Sequence, residues 1–297
     1  MNPRTSGLLF AALGAVGFSG KAIVVKLAYR YGVDAITLLM YRMLMALPFF
    51  LFMAWWGGRG RPALARSERW AVLGLGFCGY YLASMLDFLG LQYITASLER
   101  LILYLTPTLV LLYGWALRGR PITLGHLLAT AVGYGGALLV FRVELHGMPG
   151  SATAWGAFWV FLSAASYALY LFFSGEFVAR IGSLRLVGLA STVASLCCIA
   201  HFLLFNPWAS ARVAEPVLWL SLLNATLCTA VPVLLVMIGV ERVGAGLAAQ
   251  VGMIGPLSTI VMGIVLLGEP FTPALVAGTA LVLVGVYLFS RAGRRVG

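Results

Sequence analysis

Tyr80, Ser84 and Asp87 recur at i, i+4 and i+7 within one apolar run, and Ser163, Tyr167 and Tyr170 repeat that spacing in another. On a helix such residues share a face, so each stripe can offer ring surfaces to an apolar group and hydroxyls to a polar one. Aromatic packing between helices, or an interfacial belt, would use the same residues. Lys21 stands inside a third apolar run. A charge in hydrocarbon costs at least about 2.5–3.5 kcal/mol on insertion scales. Lys21 therefore either meets an anion such as a carboxylate, or snorkels outward beside Lys26 and donates to helix-end carbonyls. Asp87 could carry a coupling proton or serve as an interfacial or paired carboxylate. Tyr104 and Gln250 are further candidate binding residues, with interhelical hydrogen bonding as the alternative. The chemistry on offer is binding and proton exchange.

Bond-breaking chemistry has little support. The run "GLGFCG" at 74–79 has dinucleotide-binding spacing, and Glu99 follows at roughly the right interval. That motif requires a strand, turn and helix in an aqueous α/β unit. Here Gly74, Gly76 and Gly79 sit in an apolar run, where small residues serve close helix packing. Cys78, Cys197, Cys198 and Cys228 lie in apolar segments without neighbouring metal ligands, and His126, His146 and His201 form no ligand or base pair in sequence. Neither an enzyme, a metal nor a cofactor is expected. Arg42 is read as paired or snorkelling, while Glu99 and Arg100 open a helix whose dipole an acid complements.

The elements that must position these groups are membrane helices. Of 297 residues, 62% are hydrophobic and only 10% charged, against roughly 25% charged in soluble domains; the mean hydropathy is +0.99. Runs of about 20 apolar residues predict ten helices, near 7–28, 34–56, 70–91, 95–117, 122–141, 154–175, 185–206, 215–239, 244–267 and 273–291. Connections are short, so no soluble domain is attached. The fold class is an all-α membrane protein.

A net charge of +11 could suggest nucleic acid, but no basic stripe lies outside the membrane segments, so the charge reports loop orientation. With the N-terminus inside, Arg4, Arg59, Arg61, Arg66, Arg69, Arg118, Arg120, Arg180, Arg185, Arg242, Arg291, Arg294 and Arg295 fall on the cytoplasmic side. Lys26, Arg30, Arg100, Arg142 and Arg212 fall opposite. This 13 to 5 bias predicts both termini in the cytoplasm. A cleaved signal peptide is not expected, because the first run lacks a strongly basic lead and contains Lys21.

The chain also repeats itself. "PTLVLLYGWALRGRPIT" from Pro107 returns 149 residues later as "PLSTIVMGIVLLGEPFT" from Pro256. The same offset pairs Gly7 with Gly156, Gly90 with Gly239, and Gly136 with Gly285. It also lays Phe18 and Lys21 over Tyr167 and Tyr170. Two halves, 1–148 and 149–297, would each hold five helices. An odd number forces the second half to enter the membrane inverted. Arg120 then lies in a cytoplasmic loop and its counterpart Glu269 in an external one, which explains the reversed charge. Inverted repeats usually mean transport by alternating access. Pro107 and Pro256 lie early in helices 4 and 9, where a kink would suit a gate and a first-turn proline would be harmless.

The run "LLFAALGAVGFSGKAIVVK", together with "YLTPTLVLLYGWALRGRPIT" and "MIGPLSTIVMGIVLLGEPFT", resembles the drug/metabolite transporter superfamily, EamA-type branch, and within it the YddG-type exporters of aromatic and other amino acids. The first half departs from the family's Gly-Glu pattern with Gly119-Arg120, which argues against a substrate role for Glu269. The resemblance implies a ten-helix inner-membrane carrier, with a cavity between helices 1, 3, 4, 6, 8 and 9 and helices 5 and 10 peripheral. The expected substrates are amino acids, aromatic or large apolar ones preferred, and the lipid bilayer and substrate are the only partners expected of a monomer. The competing readings are a proton-coupled exporter of cationic drugs or other small metabolites, with Asp87 as coupling group, and a membrane scaffold or channel whose repeat merely packs.

Overall fold

The computed structural model describes residues 3–119, 121–147, 150–243, 251–252 and 254–293; Arg120 and Gln250 lie outside them. Eight helices among these residues are long and apolar enough to cross a membrane. They are α1 (Thr5–Tyr29), α2 (Ala35–Gly58), α3 (Arg66–Leu91), α4 (Ala96–Arg118), α5 (Leu124–Val143), α6 (Ser151–Ile181), α7 (Ser183–Phe205) and α8 (Glu215–Val236). Two shorter apolar helices follow, α9 (Leu257–Leu267) and α10 (Pro273–Phe289).

Local chemistry sets the helix ends. Asp34 caps α2 by accepting from Ile36 N at 3.0 Å and Thr37 N at 2.9 Å, a contribution of about 1 kcal/mol. Thr95 caps α4 by accepting from Leu98 N at 3.0 Å. Helix α4 is interrupted at Tyr104–Leu105, and Pro107 stands in the first turn of the segment that resumes at Thr106. A proline there costs little, because its missing N–H has no intrahelical acceptor. The backbone of Pro256 likewise lies in the first turn of Ile254–Met262. The second glycine of each motif copy ends its helix in the left-handed region, Gly119 with φ 62° and Gly268 with φ 73°; glycine adopts it without a Cβ penalty.

The loops sort into two sides. Gly182 lies against Arg61, and Arg185 donates to Pro62 O at 2.9 Å, so the α2–α3 and α6–α7 connections share the side of the chain ends. Arg118 pairs with Glu176 there as well. On the far side Tyr41 donates to Ala211 O at 2.6 Å and Arg30 to Leu267 O at 3.0 Å.

Glycines set the closest helix approaches. A Cβ on Gly90 would lie 2.8 Å from Gly156 O and 2.4 Å from Val160, joining α3 to α6. Gly239 lies against Gly7 O and Ala11 in the same way, joining α8 to α1. Gly136 meets Gly278 O and Val282, and Gly285 meets Ala129 O and Gly133, joining α5 to α10. Among the described residues, three stretches widen into π-helical turns: Gly76–Leu82 in α3, Thr226–Ala230 in α8 and Gly263–Leu267 in α9.

Candidate functional site

The π-helical turn of α3 places Tyr80 beside α6. Gly79 precedes it, and a Cβ there would fall 2.4 Å from Tyr170 Cγ, so only glycine admits the Tyr170 ring. The Tyr80 and Tyr170 rings meet edge to face at 5.0 Å, with hydroxyls 3.3 Å apart. Tyr167 stacks on Tyr170 at 5.7 Å and 21°. Tyr170 is 5% exposed and Tyr167 37%, so the inner rings fix the outer one, which offers its surface. Ser163 donates to Ala83 O at 2.7 Å, binding α6 to α3. Ser84 is half-buried on the same stretch of α3.

About two helical turns further along α3 lies a second constellation. Lys21 Nζ is 2.5 Å from Asp87 Oδ2 and 3.7 Å from Glu99 Oε1. Arg100 Nε is 3.7 Å from Glu99 Oε2. Asp87 is 1% exposed and Glu99 0%. Asp87 Oδ1 and both Glu99 oxygens accept no hydrogen bond. Arg42 is buried beside them, its Nε on Thr229 Oγ1 at 3.2 Å and its guanidinium 5.4 Å from the Phe88 ring. Lys21 therefore neither snorkels nor caps a helix end; Lys26 takes that second role, donating to Leu91 O at 3.1 Å and Ile94 O at 2.9 Å.

The far side holds a third set of contacts. Glu269, just before α10, accepts from Ala96 N at 2.6 Å and Ser97 N at 3.2 Å, and from Ser97 Oγ at 2.6 Å. Tyr29 donates to Phe88 O at 2.6 Å. With Lys21–Asp87 and Lys26–Ile94, these join α1 and the α9–α10 connection to α3 and α4 near the far side, while Arg30–Leu267 joins the end of α1 to α9.

The expected residues thus fall into separate groups. Tyr80, Tyr167 and Tyr170 come together, Ser163 ties their helices, and Lys21 and Asp87 pair with each other. Tyr104 sits at the break in α4, where it lines with Pro107 a cavity of about 20 Å³ against α5 and α10. A larger cavity, about 600 Å³, opens on the far side between α1 and α8 beside Arg30, Glu215 and Trp219; none of the expected residues among those described lines it. Sequence reasoning gave Glu99 only a helix-dipole role. An acid followed by an apolar turn, "ERLIL", was the available signal.

The family model of EamA-like transporters matches residues 5–142 and again 154–291. The chain is 33% identical over 283 residues to "Uncharacterized transporter YcbK" of Bacillus subtilis (strain 168), covering 89% of this chain and 86% of that protein. It is 26% identical over 206 residues to "Uncharacterized transporter YvbV" of the same organism, covering 68% and 66%. A solved crystal structure superposes with a TM-score of 0.62 over 99% of both chains at 20% identity, which is a likeness of fold.

Proposed function

The chain belongs to the EamA-like transporter family, and from that premise we propose that it is a secondary transporter of the cell inner membrane that exports amino acids, aromatic or large apolar ones preferred. The protein is a transporter, not an enzyme. Its halves, 1–148 and 149–297, act as two inverted five-helix repeats with both termini in the cytoplasm.

The repeat reading is supported by contacts that recur at the sequence offset. Gly90 packs on Gly156 and Val160 as Gly239 packs on Gly7 and Ala11, each residue displaced by 149 or its reverse. The π-helical turns of α3 and α8 overlay at that offset. The two family matches also begin 149 residues apart, at 5 and 154. Such halves can exchange conformations and turn a site between them from one side to the other. Because the cross-links between α1, α3, α4 and the α9–α10 connection gather on the far side, this conformation is closed outward.

The observation that carries the substrate class is the Tyr80–Tyr170–Tyr167 stack, with one ring open. Offset-stacked or edge-to-face contacts on it are worth roughly 0.5–1.5 kcal/mol each beyond area burial. The cationic-drug reading needs a carboxylate free to receive a cation, whereas Asp87 and Glu99 are fully buried and already face the Lys21 and Arg100 cations. Competition for uptake of labelled phenylalanine into proteoliposomes, with a panel of amino acids and a cationic dye, tests this. Tryptophan, tyrosine and leucine should compete well and the dye poorly. Competition by the dye alone would overturn the assignment.

A further inference from the structure

Asp87 and Glu99 present an unusual pairing. Both carboxyl groups face the single Lys21 ammonium, both are acceptors only while ionised, and three of their four oxygens lack any donor. Burial is essentially complete, which leaves no room for a substrate. In this conformation the shared counter-cation is the Lys21 ammonium, which reaches Asp87 at 2.5 Å and Glu99 at 3.7 Å.

We infer that Lys21 and a proton alternate as the counter-cation of the Asp87–Glu99 pair, and that this exchange couples one proton to each opening of the far side. The inference rests on the alternating-access reading above. Lys21 belongs to α1, Asp87 to α3 and Glu99 to α4, so parting α1 from α3 and α4 withdraws the ammonium. Two buried carboxylates that share one ammonium are not both kept ionised once it withdraws, so Glu99, which has no donor of its own, takes one proton from far-side water. On closing, Lys21 returns on the far side and that proton leaves from Glu99 to near-side water. With a cytoplasmic C-terminus, the far side is external and the result is substrate out against proton in.

The charges around the pair come from several elements. With Lys21 in place, the positive charges of Lys21 and Arg100 balance the two carboxylates, but Glu99 accepts no hydrogen bond. With a proton in place of Lys21, one carboxylate remains against Arg100 and the balance is kept. Arg42 on α2 adds a positive charge beside Phe88. Tyr29 of α1 is committed to Phe88 O, and Glu269 to the N-terminus of α4. The Ile254–Met262 segment brings no titratable group, α5 brings Arg142 toward its far-side end, and the α6 residues Glu176 and Arg180 lie on the opposite side.

Spin labels at positions 31 and 93, in far-side loops of α1 and α3 and both exposed, would read this without any substrate. The four native cysteines are first replaced by alanine. Between pH 8 and pH 5 the separation should lengthen in the otherwise wild-type protein. Glu99→Gln and Lys21→Met should show the long separation at both pH values, the first as a permanent stand-in for the protonated acid and the second for want of a competing ammonium. A pH-independent separation in the parent, or an unchanged pH response in whichever variant folds, would overturn the inference. Loss of phenylalanine transport alone would strike the substrate assignment and leave the pH response standing.

Discussion

Glu269 closes the N-terminus of α4 from the opposite half of the chain, its carboxylate accepting from Ala96 N at 2.6 Å and Ser97 N at 3.2 Å. Free N–H groups and the positive end of the helix dipole both favour an anion there. The reversal from Arg120 to Glu269 is therefore more than loop-charge placement: on the far side, the acid of the motif is a latch between α4 and the α9–α10 connection. Removing a charged cap of this kind costs about 1–2 kcal/mol. Glu269→Ala should raise the rate of maleimide labelling of a cysteine at position 94, where Ile94 is fully buried, about fivefold or more. An unchanged rate would show that the contact does not hold the far side shut.

The tyrosine stack makes a graded prediction. Tyr167→Ala and Tyr80→Ala should each raise the half-saturating concentration for phenylalanine several-fold, consistent with about 1 kcal/mol apiece, and affect a small polar amino acid less. Kinetics in proteoliposomes at matched protein amounts read this directly. Wild-type behaviour in both variants would assign these rings to packing.

Helix contacts predict a ranking of glycine substitutions. A Cβ on Gly90 would meet Gly156 O at 2.8 Å and Val160 at 2.4 Å, Gly239 has its nearest neighbours at 3.0 Å, and Gly74 has nothing within 4 Å. Gly90→Ala should destabilise most, by about 1–3 kcal/mol as in other overpacked contacts. Gly239→Ala should cost less, and Gly74→Ala should be neutral or stabilising, since alanine is the better helix former. Thermal unfolding in detergent gives the order.

Topology is tested by sided labelling in a cysteine-free background. Cysteine at position 271, exposed on the far side, should react with an impermeant reagent from the periplasm. Cysteine at position 61, exposed on the side of the chain ends, should not. Equal reactivity would contradict the assigned orientation.

Much of this architecture is legible in the sequence because the bilayer demands it. Apolar runs fix the spans, and the doubled motif sets Gly119 and Gly268 at one offset, but that both end a helix in the left-handed region emerges only with the backbone. The break at Tyr104–Leu105 is harder to read, since Pro107 announces a kink as readily as a fresh first turn. The tyrosine stripes point to α3 and α6, but the sequence does not say that Gly79 is the notch that seats Tyr170. Least legible are the pairings of Lys21 with Asp87 and of Glu269 with Ala96, whose partners lie 66 and 173 residues apart. Spacing along a helix reports which face a residue occupies, while the residue it meets is set by tertiary packing.

The carrier account is tested most directly by counterflow. Liposomes bearing the protein are loaded with unlabelled phenylalanine and diluted into a trace of labelled phenylalanine. A protein that turns its loaded site from one side to the other should draw label inward to a transient excess over the external concentration, saturating with internal phenylalanine. Label that only equilibrates, or never enters for any amino acid tried, would contradict alternating access and leave a channel or a scaffold.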